Sequence, residues 1–245
     1  MHLLIDNSNT RTKFALDHDG ELSSWRATIP TVDLNPTTLN EALKGQEITC
    51  ATICSVVPKA ADTIEAYLQV PTHRVSYRSV MPITIDYPKP AQIGADRLAN
   101  ATAVFLEYPS PAIVIDFGTA VTFDVISEKG AYLGGVIAPG TASLRDYLHS
   151  QTALLPIIQL EEPTSAIGRS TEDAMQVGAV IGYRGLIREI LTAVASELGA
   201  PPTIIATGGD ATLISAGLNI IQAVEPDLTL RGIQFIGRAS HDFHK

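Results

Sequence analysis

The 245-residue sequence predicts an α/β fold of two duplicated lobes, each a mixed sheet flanked by helices. Three observations lead there. Strand-like and helix-like hydrophobic periods alternate along the chain. Apolar types make up 45% of the residues and charged types 18%, with 18 Gly and 15 Pro spread along the chain, which excludes disordered and low-complexity classes. Finally, a shift of 110 positions lays LLIDNSNTRTKFAL (Leu3 to Leu16) over IVIDFGTAVTFDVI (Ile113 to Ile126), pairing Ile5 with Ile115, Asp6 with Asp116 and Thr12 with Thr122. The flanks match in kind, and Ser8 falls on Gly118. Chance similarity of two hairpins would give the same pattern; common ancestry divides the chain into lobes 1–110 and 111–245, with the boundary at Glu107-Tyr108-Pro109-Ser110-Pro111.

In chain order, HLLID and RTKFALD read as strands over residues 2–17, joined at the turn formers Asn7-Ser8-Asn9-Thr10. A third strand near 21–27 precedes helical periodicity at 36–44, an apolar strand at 49–56 and a helix at 58–68. A helix at 95–107, a second hairpin at 112–126 and extended chain with turns over YLGGVIAPG (132–140) follow. The longest helix spans 171–198. A strand at TIIAT, a helix beginning near Asp210, a strand at Asn219–Ala223 and a last helix at 226–237 complete the pattern. Cys50 and Cys54 lie in the strand TCATICSVV, where a four-residue spacing separates Cα atoms by roughly 13 Å. That is too far for a disulfide, and with no His or further Cys beside them both read as buried thiols.

Seventeen Lys and Arg against 26 Asp and Glu give a net charge of −9, without a basic run. Neither nucleic acid nor an anionic membrane surface is an expected partner, so an anionic ligand requires a specific site. MHLLIDNSNT lacks the charged and apolar regions of a signal peptide, and no stretch of about 18 apolar residues occurs. The expected localisation is cytoplasmic.

An Asp at a strand end, followed by small residues with exposed amides and hydroxyls, suits a nucleotide phosphate and its metal. Main-chain N–H groups and hydroxyls donate to phosphate oxygens, while the carboxylate holds Mg²⁺ directly or through water. The candidates are Asp6, Ser8, Asn9, Thr10 and Lys13 in one turn, and Asp116, Gly118, Thr119 and Thr122 in the other. Either Asp could instead close its turn by local hydrogen bonds, the commoner fate of a loop Asp; the duplication favours the functional reading. No Walker-type P-loop and no GxGxxG occurs. A third candidate, Gly94-Ala95-Asp96-Arg97, stands before the apolar-periodic Leu98, Ala101 and Phe105, at a helix start. Asp96 there either complements the helix dipole or orients a substrate hydroxyl while Arg97 pairs with an anionic group on the same substrate. On the longest helix, Ala174, Gly178 and Gly182 recur every four residues, with Gly185 nearby, which suits close packing within the chain or against a second copy.

Together, in this order and spacing, these segments resemble type III pantothenate kinase, in the superfamily of acetate and sugar kinases and actin. The family's Asp-x-Gly-Asn-Thr-x-x-Lys turn corresponds to Asp6-Asn7-Ser8-Asn9-Thr10-Arg11-Thr12-Lys13. Gly-Ala-Asp-Arg stands at 94–97, Asp-x-Gly-Thr-Ala at 116–120, and Gly-Gly-x-Ile-x-Pro-Gly at 134–140. The similarity resumes at Ile167-Gly168-Arg169-Ser170-Thr171 and Thr207-Gly208-Gly209-Asp210, so it covers nearly the whole chain.

The resemblance implies ribonuclease H-like (actin-like ATPase) lobes and ATP-dependent phosphorylation of the primary hydroxyl of pantothenate to 4′-phosphopantothenate, the first committed step to coenzyme A. It assigns Asp6 through Lys13 to the ATP phosphates and, at Asp6, to Mg²⁺, with Thr119 completing the phosphate site. Asp116 takes the monovalent cation, K⁺ or NH₄⁺. Asp96 becomes the proton acceptor within a pantothenate-binding run Gly94, Ala95, Asp96 and Arg97, and Tyr87 and Thr171 also contact pantothenate. A homodimer with substrate sites at its interface is implied as well. One position departs from the pattern: the family's first-turn Gly is Ser8. If φ must be positive there, Ser is strained by about 1 kcal/mol and its Oγ crowds a phosphate; otherwise it donates one more hydrogen bond.

Two other functions compete. A phosphohydrolase of the same superfamily would use the same turns but needs a carboxylate aimed at water, and Gly-Ala-Asp-Arg argues for an organic substrate. A non-catalytic regulator is disfavoured as a DNA binder by the acidic charge and the lack of a basic stripe.

Overall fold

Leu3, Leu4 and Ile5 are wholly buried, because the strand they form, β1 (His2–Asn7), is covered on both faces. Leu3 and Ile5 join a cluster with Phe14, Leu39 and Ile64, while Leu4 joins another with Ala99 and Ile233. This explains the unbroken apolar run where a half-exposed strand would alternate. β1 pairs antiparallel with β2 (Arg11–His18), which pairs antiparallel with β3 (Glu21–Pro30). After α1 (Pro36–Ala42), begun by an Asn35–Thr38 capping box, β4 (Cys50–Ser55) lies parallel to β1. After α2 (Pro58–Leu68), β5 (Thr72–Arg74) extends the sheet, giving the order β3-β2-β1-β4-β5. A two-residue strand, β6 (Thr84–Ile85), and α3 (Ala95–Glu107) follow. Cys50 and Cys54 are free thiols in β4, Cys54 buried as expected but Cys50, at the strand's first position, only half-buried.

The next strands repeat the plan. β7 (Ala112–Phe117) pairs antiparallel with β8 (Ala120–Ile126), and β9 (Ala131–Pro139) neighbours β8. After α4 (Thr141–Gln151), α5 (Thr171–Val177), a π turn at Gly178–Gly182 and α6 (Tyr183–Leu198), β10 (Thr203–Gly208) lies parallel to β7. Beyond α7 (Ala211–Ser215), β11 (Ala223–Val224) pairs with β10. Five strands of this six-stranded sheet, β9-β8-β7-β10-β11, repeat the order of the first sheet, and β6 adds an edge strand beside β9. The core of this sheet joins Ile113, Ile115, Phe117 and Phe123 to Val180, Tyr183 and Ile187 of the helices.

The computed structural model describes residues 1–242 and divides into two units: Met1–Tyr108 with Gly130–Leu133 and the chain from Asp227 onward, and Pro109–Lys129 with Gly134–Pro226. This differs from a division into 1–110 and 111–245 at the boundary, which falls after Tyr108, and in two further places. The last helix, α8 (Leu228–Asp242), lies with the first unit, where it packs on α3 and β1. The start of β9 also belongs there, with Ala131 and Tyr132 paired to Thr84 and Ile85 of β6.

Other differences have local causes. The duplicated hairpins match over their first strands, but the second turn is one residue shorter: Asn7 pairs with Thr12, whereas Phe117 pairs with Val121. Lys13 therefore faces Asp6, while Thr122 faces Asp116, so Thr122 corresponds to Lys13 and not to Thr12. The strand expected at 219–223 is reduced to Ala223–Val224, because Ile221 N–H bonds Leu218 O in a turn. The helix α4 has no counterpart in the sequence reading. Its apolar residues Leu144, Tyr147 and Leu148 have helical spacing but are 38, 64 and 40% exposed, so no buried stripe announces it.

Asp17 ties α8 to the sheet. It is 4% exposed and accepts hydrogen bonds from Arg238 Nε (2.8 Å), Gln234 Nε2 (3.0 Å) and Gly20 N (3.0 Å). Burial pushes the carboxyl up, but these bonds outweigh it and hold it below the usual aspartate range. A lowered folded-state value stabilises above the unfolded value of about 3.9 and is lost as pH falls through the folded one. Asp17→Asn should therefore lower the melting temperature at pH 7 by roughly 5 °C and flatten the acid limb of stability against pH. A calorimetric pH series checks this; an unchanged acid limb would contradict it.

Candidate functional site

The first turn divides its residues by burial. Asn7 and Thr12 are 1% and 0% exposed and bonded to each other, Asn7 Nδ2 to Thr12 Oγ1 at 2.7 Å. Asn7 Oδ1 also accepts from Ser55 Oγ, and Thr31 Oγ1 lies 3.1 Å from Thr12 Oγ1 while donating to Ser8 O. These two side chains brace the turn from inside. Asn9, Thr10 and Arg11 form its exposed tip. Ser8 lies outside the left-handed region, and its N–H and Oγ both donate to Arg11 O, at 3.0 and 2.9 Å. The strain considered for Ser8 is absent.

Asp6 closes β1 with its carboxylate 3.5 Å from Lys13 Nζ. It is 7% exposed, and burial pushes its pKa up, opposed by Lys13 and reinforced by the charge of Asp96. Asp96 therefore faces the same region of the first unit as Asp6 and Lys13.

Asp96 sits in the first turn of α3. Its Oδ1 accepts from Arg97 N at 2.8 Å, and burial, only partly opposed by Arg97, pushes its pKa up. The carboxylate occupies the space over Gly94, where a Cβ would lie 2.5 Å from Asp96 Oδ1. Ala95 is buried among Leu4 and Ala99 and anchors the turn. The Arg97 guanidinium carbon lies 5.8 Å from the ring centroid of Tyr132, and the Tyr87 ring meets Tyr132 edge-on at 6.3 Å and 70°. The sequence reading missed Tyr132; the signal was an aromatic residue immediately before the Leu-Gly-Gly of a recognised segment.

In the second unit, Asp116 is half-buried at the end of β7, opposite Thr122. Gly118 N–H bonds Ala120 O at 3.2 Å, leaving Thr119 exposed at the tip. Thr119 O accepts from Gly140 N (3.2 Å) and Ser143 Oγ (3.0 Å) at the start of α4. A Cβ on Gly140 would overlap the carbonyls of Gly118 and Thr119, so only glycine lets this turn close. Tyr183 OH donates to Pro139 O at 3.0 Å, and Thr141 Oγ1 donates to Asp210 Oδ2. Burial and then Asp210 drive the Tyr183 phenol well above its usual range, so it stays a donor. Thr171 is exposed as the first residue of α5, after Ser170, whose Oγ accepts from Asp173 N. It borders a groove of about 610 Å³ with Arg145, Leu144, Tyr147 and Gly178. Among the described residues, no three His, Cys, Asp or Glu side chains form a metal cluster, and no helix is long and apolar enough to cross a membrane.

A sheet of one strand order built twice, with an aspartate near the end of the first strand of each copy, defines a duplicated α/β fold. Known proteins agree with that class. The sequence pattern of the type III pantothenate kinase family matches residues 2–193. A type III pantothenate kinase from Akkermansia muciniphila is 52% identical over 233 residues, covering 95% of this chain and 96% of its own. Among solved structures, a Campylobacter jejuni protein described as a Baf family transcriptional activator superposes with a TM-score of 0.66 at 20% identity, over 98% of this chain and 99% of its own. The activator of 2-hydroxyisocaproyl-CoA dehydratase from Clostridium difficile, with bound ADPNP, gives 0.56 at 11% identity, over 99% and 97%. The structures share the fold; the sequences decide the family. This chain belongs to the type III pantothenate kinase family.

Asp96 is seated by the bare Cα of Gly94. Gly94→Ala should displace the carboxylate and lower kcat roughly 10- to 100-fold, with little change in melting temperature. Steady-state kinetics beside a melting curve measure both, and full activity would show that this seat is immaterial.

Proposed function

We propose that the chain transfers the γ-phosphoryl group of ATP to the primary hydroxyl of pantothenate, with Asp96 as proton acceptor. The observation that carries this reading is the family match over nearly the whole chain, and the charge of Asp96, which raises the Asp6 pKa, agrees with it. Phosphoryl transfer has a loose transition state, so the protein contributes mainly positioning and charge neutralisation. A carboxylate raised by burial is a better proton acceptor than a solvated one, and Asp96 orients the hydroxyl while holding its proton at Oδ. Arg97 and Tyr87 hold pantothenate, Gly94 and Ala95 shape the turn that carries Asp96, and Thr171 supplies a further hydroxyl. The exposed tip Asn9 to Arg11, Lys13 and Thr119 hold the ATP phosphates, and Ser8 closes the turn through Arg11 O. Asn7 and Thr12 serve as the internal brace of that turn.

Asp6 fits Mg²⁺: its charge is buried, with a single lysine at 3.5 Å to offset it, and one carboxylate plus phosphate oxygens is a usual Mg²⁺ environment. The ion neutralises charge on the phosphates when bound. Asp116 fits a monovalent cation for a related reason. Where the first hairpin sets the ammonium of Lys13 against its aspartate, the second sets the hydroxyl of Thr122, and K⁺ or NH₄⁺ takes the place of that ammonium.

The small residues of the α5 to α6 run support a homodimer. A Cβ on Gly178, Gly182 or Gly185 would meet nothing within 4 Å, so they do not serve packing within the chain. Ile181 is 42% exposed beside them, and the exposed Leu144, Tyr147 and Leu148 border the same groove as Thr171, Ala174 and Gly178. A cytoplasmic location fits a chain whose substrates are soluble metabolites.

ATP consumption should require pantothenate; consumption without it would identify a hydrolase, and none at all a regulator. Asp96→Asn should keep the fold and lose roughly 10²-fold or more in turnover, and near-full activity at an unchanged melting temperature would remove Asp96 from the mechanism. Asp116→Asn should weaken activation by K⁺ and leave the Mg²⁺ requirement in place; equal wild-type activity in Na⁺, K⁺ and NH₄⁺ would refute a cation at Asp116. Light scattering should return twice the chain mass at micromolar concentration, and a monomer mass would contradict the dimer.

A further inference from the structure

Tyr132 is wholly buried, and its main chain is pinned by pairing with Ile85 and by the bond from Asp86 N to Tyr132 O at 3.0 Å. From that fixed position one ring meets two half-buried side chains of separate segments. The Arg97 guanidinium lies 5.8 Å from its centroid, and the Tyr87 ring stands at 70° to it at 6.3 Å. The first geometry is a cation–π contact and the second an edge-to-face aromatic pair. We propose that Tyr132 is a positioning residue for pantothenate, a buried ring that sets Arg97 and Tyr87 in their binding orientations. The inference rests on the assignment of Arg97 and Tyr87 to the substrate.

The physical case is one of preorganisation. An arginine side chain loses rotamer freedom when it grips a carboxylate, and a ring that already restricts it removes part of that loss from the binding step. The ring makes its contribution without touching substrate, since nothing of Tyr132 is exposed. Its effect must pass through Arg97 and Tyr87, neither of which is placed among the ATP-binding residues, so it falls on pantothenate affinity and not on ATP affinity. A ring that merely fills the core would loosen both substrates alike or act on stability alone.

Three variants and a double variant separate these outcomes, with KM for each substrate, kcat and the melting temperature measured on the full chain. Tyr132→Phe keeps the ring and should stay near wild type. Tyr132→Leu should raise the pantothenate KM by about tenfold, leaving the ATP KM unchanged. In the Arg97→Ala background the same change should add much less. Equal rises in both KM values, a loss of stability alone, or full additivity with Arg97→Ala would overturn the proposal. Should Tyr132→Leu fail to fold, fluorinated phenylalanines at position 132 weaken the ring's negative face at nearly constant shape. The pantothenate KM should then climb with fluorination, and a flat series refutes the role. Arg97→Ala separates the two layers. If it leaves the pantothenate KM unchanged, the substrate assignment falls and this inference with it; if it raises that KM while Tyr132→Leu does not, only the inference falls.

Discussion

The carboxylates of Asp6 and Asp96 are held partly out of water in one region of the first unit, and much of the local structure follows from that. Each is raised by burial, and the charge of Asp96 raises Asp6 further. A buried charge costs several kcal/mol unless compensated, so both are found where the fold supplies compensation. Asp6 has Lys13 across the hairpin, and Asp96 has the first-turn amide of Arg97. The compensation is incomplete in each case, which suits the proposed roles, in which Asp6 receives a cation with the nucleotide and Asp96 a proton from the substrate hydroxyl. A fully neutralised pair would be a stable structural ion pair with nothing left to do.

Duplication supplies the frame, and a difference of one residue sets the two turns apart. Both sheets share one order over five strands, with the Asp-bearing strand at the centre of the five and a hairpin leading from it. Shortening the second turn moves every partner on the returning strand by one, exchanging a lysine for a threonine opposite the aspartate. A one-residue slip turns each side chain to the other sheet face, so the second strand had to change with it. It did: Phe14 and Phe123 both lie inward, at 109 positions apart, where the first strands keep the 110-residue shift.

This explains what the sequence made legible. Strands and hairpins were readable because β1 and β7 are apolar runs ended by an aspartate and a turn, and the family's motifs marked Asp96 and Gly94 without any geometry. Asn7 and Thr12 are polar, stand within the motif and look like phosphate ligands; their burial depends on Thr31 and Ser55, which no local pattern connects to them. The return of α8 to the first unit was hidden for the same reason, since Asp17 and Arg238 are far apart in sequence. Tyr132 escaped because its partners, Arg97 in α3 and Tyr87 just after β6, are far from it in sequence. The helix α4 escaped because its apolar side faces outward.

Ser8 shows how a departure from a family pattern is judged. Glycine is demanded where φ is positive or where a Cβ has no room, and neither holds here. Ser8 has an ordinary φ, and in the sister turn Gly118 also lies outside the left-handed region, with room for a Cβ at 3.4 Å from the nearest atom. The hydroxyl and the N–H of Ser8 both turn to Arg11 O, closing the turn from within. The extra oxygen therefore makes the turn more rigid instead of offering a donor to phosphate. In the proposed site, contacts to the nucleotide come from the exposed tip, Asn9 to Arg11, from Lys13 and from Thr119. On this geometry, serine at this position is compatible with the turn, because the hydroxyl it adds is directed to Arg11 O.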